Sequence, residues 1–197
     1  MASDTEIANN ALVFIGGTRI TSLSDGTKNA NAANLIYSET RADMLRSNDW
    51  NFATRRIELA RSGTTPAFGF DYGYVLPSDW IRTVSVHDND GGVGTIEFKE
   101  EYLSAQNVIL ADAERVFVRY VSLITDPNRM PADFRTAFAY ELASRLAIPI
   151  ANSNTVKELM EDKAKKRLIR AKSSDAQGST PERRPVGSWV TSRGGRQ

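Results

Sequence analysis

The chain has 197 residues, 41% of them hydrophobic, and a formal net charge of +1, which is enough apolar material for one good core or a core with a satellite lobe. Having no cysteine, it is excluded from disulfide frameworks, thiolate metal sites and cysteine nucleophiles. Charge is unevenly placed: residues 153–197 carry eleven Lys/Arg against five Asp/Glu, a local +6, and residues 1–152 a local −5, a polarity that suits head-to-tail stacking of copies, an oppositely charged partner, or simply an ordinary basic C-terminus.

The opening MASDTEIANN lacks the basic and apolar regions of a signal peptide. No apolar run approaches the roughly 18–20 residues of a membrane-spanning helix. The expectation is a soluble protein, made and used without export and with no membrane partner. A first helix is predicted over 3–15, where Ser3 and Glu6 form a capping box and Ile7, Ala11, Leu12, Phe14 and Ile15 fall at helical spacing. Gly16-Gly17 stops it, since glycine adopts the left-handed conformation that closes helix ends. A second helix is predicted over about 29–47, with Ala33, Ile36, Tyr37, Thr40 and Met44 on one face and Leu35, Ala42 and Leu45 roughly opposite. A helix apolar on two sides is either central in a bundle or pressed between its own core and a neighbouring subunit, and the second possibility makes Leu35 and Leu45 subunit-interface candidates.

From Trp50 to about Val121 the period changes to two. Trp50, Phe52 and Thr54 alternate, as do Val84 and Val86, Ile96 and Phe98, and Val116, Val118 and Tyr120. Turn clusters at 62–66 and 88–92 and a turn near 111–113 divide these runs into a small, mostly antiparallel β lobe. Tyr74-Val75-Leu76-Pro77 reads as an edge or a strand entry, because proline cannot serve a central ladder. The third helix is predicted from Pro131, with Phe134, Phe138, Leu142 and Leu146 as its stripe, small Ala139, Ala143 and Ala147 beside it, and Pro149 as its end. The fourth is predicted to open near Thr155, with Glu158 completing a capping box and Val156, Met160, Ala164, Leu168 and Ala171 on one face.

The fold class is therefore α+β. A four-helix body (3–48 and 131–177) is interrupted by an inserted β lobe (50–122), so residues 1–177 form one domain, followed by a tail at 178–197. The stretch from 173 on, SSDAQGSTPERRPVGSWVTSRGGRQ, is rich in Gly, Ser, Pro and Arg. Its apolar area cannot offset roughly 1–2 kcal/mol per ordered backbone residue, so it is expected to order only on a partner. Trp and Arg are the commonest interface anchors, which marks Arg183, Arg184, Trp189, Arg193 and Arg196 as a docking peptide.

Few residues suggest chemistry. His87 follows Val84-Ser85-Val86 and precedes Asp88; side chains adjacent along a strand lie on opposite faces, so it reads as a solvent-facing strand-end histidine rather than a triad member. Gly91-Gly92-Val93-Gly94 lacks the Lys-Ser/Thr and the strand-to-helix setting of a phosphate loop and reads as a hairpin turn. Gly16-Gly17-Thr18 follows a helix, the wrong end for anion binding. Glu97, Glu100 and Glu101 are the candidate carboxylates for acid and base roles in glycoside hydrolysis, though charges on a strand and turn are usually solvated. No catalytic residue, cofactor or metal is assigned. On the fourth helix, Lys163, Lys166, Arg167 and Arg170 fall within an arc of about 100° beside the apolar stripe. Glu161–Lys165 and Asp162–Lys166 are i,i+4 pairs that neutralise part of that charge. The stripe is either a solvated face or a surface for an acidic partner or for DNA in a passage, and no aromatic interleaves with it to stack on bases.

One family resemblance emerges from the order of these motifs. Ala32-Ala33-Asn34 leads through a helix to Asn48-Asp49-Trp50-Asn51-Phe52, and Tyr74-Val75-Leu76-Pro77-Ser78-Asp79-Trp80 follows. Next come the strand Val118-Arg119-Tyr120-Val121 and Met130-Pro131-Ala132-Asp133-Phe134-Arg135, which opens Ala137-Phe138-Ala139-Tyr140-Glu141-Leu142-Ala143 and runs on to Ala147-Ile148-Pro149-Ile150. Over roughly residues 4–177 this resembles the head-to-tail adaptors of short-tailed bacteriophages, the tail tubular protein A or gatekeeper family. The resemblance implies a ring of about twelve subunits beneath the portal protein. Such a ring extends the DNA channel, helps retain packaged double-stranded DNA without reading its sequence, and carries the tail nozzle protein. It also implies a helical body and C-terminal segment that hold the portal, a β lobe that faces the nozzle, and a location in the virion, with host cytoplasm during assembly. The tail here is more basic and richer in proline than the family style. Two other readings are a tail-associated cell-wall or polysaccharide hydrolase acting through Glu97, Glu100 or Glu101, and a general DNA-binding protein. The latter would show steep salt dependence, and a net charge of +1 makes its binding weak at physiological salt.

Overall fold

The computed structural model describes residues 2–178, and within them the chain is an α+β protein. Four helices, α1 (Asp4–Phe14), α2 (Lys28–Arg46), α3 (Ala132–Leu146) and α4 (Asn154–Ala176), enclose in sequence six strands. The strands are β1 (Thr54–Glu58), β2 (Tyr72–Val75), β3 (Trp80–His87), β4 (Lys99–Leu103), β5 (Gln106–Ala111) and β6 (Phe117–Ser122). None of the described helices is long and apolar enough to cross a membrane.

Local chemistry sets the helix ends. The Ser3 hydroxyl accepts the Glu6 N–H at 3.1 Å to start α1. Gly16, at φ +74, lets the chain turn so that Gly17 N–H donates to the Leu12 carbonyl at 2.8 Å. Thr27 caps α2 through the Ala30 N–H. The fourth helix departs from the sequence expectation: Ser153, not Thr155, is its cap, accepting the Val156 N–H at 3.3 Å. Ser153 has extended φ/ψ, the backbone state a cap requires, and Thr155 already lies inside the helix. Pro149 does not end the third helix outright. The chain widens into one π-type turn over Ala147–Ala151, which absorbs the missing proline N–H, and it reverses at Asn152 in the left-handed region, φ +48.

Side-chain hydrogen bonds tie down the loop between α1 and α2, chief among them those of Asn9 and Asp25. Asn9 is buried and clamps Ile20, its Nδ2 donating to the carbonyl at 2.9 Å and its Oδ1 accepting the N–H at 2.8 Å. Asp25 accepts the Thr27 hydroxyl at 2.7 Å and N–H at 3.0 Å and the Thr21 N–H at 3.0 Å. These bonds, Thr27's first, hold its carboxyl down at about 2. A folded value below the unfolded one means the contribution is complete above roughly pH 4 and is lost as pH falls toward 2. Amides of residues 20–27 are therefore expected to lose hydrogen-exchange protection across that window, and Asp25→Asn should remove this pH dependence while leaving the rest of the chain's acid response unchanged.

Helix α3 is the centre of the body, in contact with α1, α2 and α4. Its stripe Phe134, Phe138, Leu142 and Leu146 is buried, with Ala139, Ala143 and Ala147 permitting close approach. Met160, Ala164 and Ala171 are buried on the facing side of α4. Tyr37, on α2, donates its hydroxyl to Asp4 at 2.9 Å, and burial followed by the Asp4 charge pushes its pKa well up. The second apolar strip of α2 divides in two. Leu35 is 80% exposed, whereas Leu45 is fully buried. Leu45 is thus a core residue rather than a subunit contact, because the C-terminal end of α2 runs into the seam beneath β3 and β6 and is enclosed there on more than one side.

Trp50 and Phe52 also differ from the predicted strand. They lie in a turn before β1 and enter the helical core, where Trp50 meets Phe134 edge-on at 5.0 Å and its Nε1 donates to the Met44 carbonyl at 2.9 Å. Burial of a large ring and satisfaction of a helix-end carbonyl outweigh the local alternation. The strands form two antiparallel three-stranded sheets, ordered β1-β6-β3 and β2-β5-β4. Their facing sides enclose a second core of Leu59, Tyr74, Val86, Ile109, Val116, Val118 and Tyr120. Residues 96–98 are not a ladder strand. Ile96 N–H reaches Val86 O at 3.2 Å, and pairing resumes only at β4, after a loop with Gly92 and Gly94 at positive φ.

Candidate interaction surfaces

The basic residues of α4 lie along its seam with α3. Lys163 and Arg167 each sit 6.0 Å from the Tyr140 ring centre, and Phe14 of α1 stacks on that same ring at 4.2 Å. An aromatic side chain therefore does interleave with the stripe, supplied by α3, which no inspection of α4 alone could find. Lys166 pairs with Asp162 at 2.6 Å and Arg170 reaches Asp133 of α3 at 3.7 Å. The expected Glu161–Lys165 pair gives way to Lys157–Glu161 at 3.7 Å. Lys166 and Arg170 thus carry carboxylate partners while Lys163 and Arg167 face a ring, an arrangement that draws only part of the positive charge away from an outside partner.

Exposed apolar side chains occur on both the helical body and the β lobe. In the helical body they include Leu35 on α2 and Ile169 on α4, 66% exposed. In the β lobe they include Phe68 at 89%, Val93 at 78% and Tyr102 at 71%. The loop carrying Phe68 is held to the β4–β5 turn by the Ser104 hydroxyl donating to Thr64 at 3.0 Å. Strand β4 is an edge of its sheet and is exposed along most of its length.

The β1-β6-β3 sheet presents a trough of about 440 Å³ lined by Arg56, Ser85, His87, Asn89, Phe117 and Arg119 among others. Register puts Arg56 opposite Arg119 and His87 opposite Phe117. His87 Nδ1 contacts the Gly94 carbonyl, which needs a proton on that nitrogen, so Nε2 accepts from the Ser85 hydroxyl at 2.9 Å. Ser85 and His87, two apart on one strand, share a face; the relevant neighbour of His87 was this serine rather than Asp88. The glutamates do not converge. Glu100 and Glu101 are consecutive in β4 and point to opposite faces, and Glu101 pairs with Lys99 at 2.6 Å. Among the described residues no three His, Asp or Glu gather as a metal would require. Arg183, Arg184, Trp189, Arg193 and Arg196 lie outside the described residues.

Comparison with known protein families and with curated proteins finds no match to this chain.

Proposed function

We propose that this chain is the subunit of a head-to-tail connector of a short-tailed phage, a ring of about twelve copies under the portal that extends the DNA channel and carries the tail nozzle. The observation that carries the reading is the exposure of large apolar side chains on both parts of the chain, Leu35 and Ile169 on the helical body and Phe68, Val93 and Tyr102 on the β lobe, with the lobe inserted between α2 and α3. Large apolar side chains left in water are candidate contact points, and a connector needs separate contacts for its neighbours, its portal and its nozzle. The order of sequence motifs described above supports the same reading. Helix α4, with its basic flank, offers a weakly specific electrostatic surface for DNA phosphates in a passage.

The test is sedimentation velocity of the full chain alone and mixed with its portal. A discrete high-mass ring, formed alone or upon the portal, is the expected result; a monomer that ignores the portal at micromolar concentration would rule the reading out. A hydrolase remains the second reading, favoured by the Ser85–His87 contact inside the trough. It predicts turnover of an ester substrate that Ser85→Ala abolishes.

A further inference from the structure

Helix α4 does not merely stop; its end is fastened. Asn51 N–H donates to the Asp175 carboxylate at 2.9 and 3.2 Å, Asn51 Nδ2 donates to the Asp175 carbonyl at 2.6 Å, and Lys172 Nζ donates to the Ser47 carbonyl at 2.9 Å. Beside this fastening lies a cavity of about 270 Å³ with Phe52, Phe134 and Pro131 in its wall, Asp133 and Asp175 among its polar groups, and Gly178 as part of its lining. The chain therefore leaves α4 from within the cavity, and nineteen residues follow.

Two features of the cavity are incomplete as they stand. Asp175 is a partly buried carboxylate bonded to the Asn51 amide, and among the described residues no lysine or arginine pairs with it. Burial pushes its pKa up, the sign of a charge held against an apolar wall with too little to oppose it. Among the described residues, the cation that reaches Asp133 is Arg170, at 3.7 Å. The wall itself offers aromatic surface to an apolar group. A segment bearing a compact apolar residue followed closely by cations would complement both, and residues 179–185 read Ser-Thr-Pro-Glu-Arg-Arg-Pro.

We infer that residues 179–185 of this same chain fold back into the cavity, Pro181 against Phe52 and Phe134, and Arg183 or Arg184 on Asp175. Reach permits it: three residues span at most about 10 Å and five about 17 Å, and the starting point, Gly178, is already in the lining. Closing so short a loop carries little entropic penalty, and the tether gives the segment a millimolar effective concentration. Net charge favours it too, since residues 179–197 hold four arginines and one glutamate. The inference does not depend on the connector reading.

The absence of cysteine allows a single nitroxide at Ser188→Cys in the full chain, read by relaxation of amide signals at low micromolar concentration. The expected result is selective broadening at Asn51, Phe52 and residues 132–134, removed when Pro181, Arg183 and Arg184 are replaced together by Ala. A second variant, Asp175→Asn, keeps an acceptor for the Asn51 N–H and should lower the closed-to-open ratio about tenfold, the scale of one partly desolvated charge pair. Broadening spread evenly over the surface, or unchanged in the triple variant, overturns the inference. Mixing nitroxide-bearing copies with isotope-labelled copies that lack the nitroxide separates sources: broadening that appears only between copies assigns the cavity to a neighbour's segment and equally defeats it.

Discussion

Replacing Trp50 with Ala is expected to lower the stability of the chain by about 3–5 kcal/mol, measured as a drop in the denaturant midpoint at constant slope. The ring is fully buried and stands where three parts of the molecule meet. It contacts Phe134 of α3 edge-on at 5.0 Å and Phe52 at 5.8 Å, while Phe134 touches Phe52 at 5.0 Å and leads on to Phe138 at 6.4 Å. Its Nε1–H satisfies the Met44 carbonyl near the end of α2. Alanine would remove the burial, open a void that neighbouring rings cannot fill without leaving their rotamers, and orphan that carbonyl. With whole domains stable by only about 5–15 kcal/mol, such a loss is a large share of the total. Trp50→Phe separates the terms: it keeps most of the ring but not the donor, so it should lose clearly less than alanine, by about 1–3 kcal/mol. Equal losses for the two variants would mean that the hydrogen bond, not the packing, holds the junction.

That junction also shows what the sequence made legible. The four helices, their apolar faces and the Ser3 cap follow from period and side-chain type, because these depend on neighbours three and four residues away. The alternation of Val116, Val118 and Tyr120 similarly predicted a buried strand face. Trp50 and Phe52 alternate as a strand would, yet their destination is set by Phe134, more than eighty positions later in the chain, and no local pattern encodes it. The contact of Tyr140 with Lys163 and Arg167 is of the same kind, since the ring comes from α3 and no pattern within α4 encodes it. The Ser85–His87 contact is locally encoded, because residues two apart on a strand share a face, whereas Asp88, next in sequence, does not share it. The cavity beside Gly178 had no sequence signal at all, because its walls come from a turn, α3 and α4.

Leu45→Asp is expected to unfold the chain, whereas Leu35→Asp should leave it folded and, under the connector reading, unable to assemble. The two leucines lie on one helix and look alike in the sequence, but Leu45 has no exposed surface and Leu35 is 80% exposed. At Leu45 an aspartate would replace core contacts with an unpaired carboxylate beneath the β lobe. The lost packing and the desolvated charge together exceed about 4 kcal/mol, enough to consume most of a typical domain's stability. At Leu35 the same change meets only water in the isolated chain and should shift stability by no more than about 0.5 kcal/mol. Under the connector reading, however, Leu35 faces a neighbouring copy, and a charge placed in the apolar centre of a repeated contact is introduced once per subunit around the ring. Circular dichroism melts report the first effect and sedimentation velocity the second. A Leu35→Asp protein that still forms the assembly seen with the parent chain would remove the outer face of α2 from the subunit contact, and a cooperatively folded Leu45→Asp protein would contradict the buried seam between α2 and the β lobe.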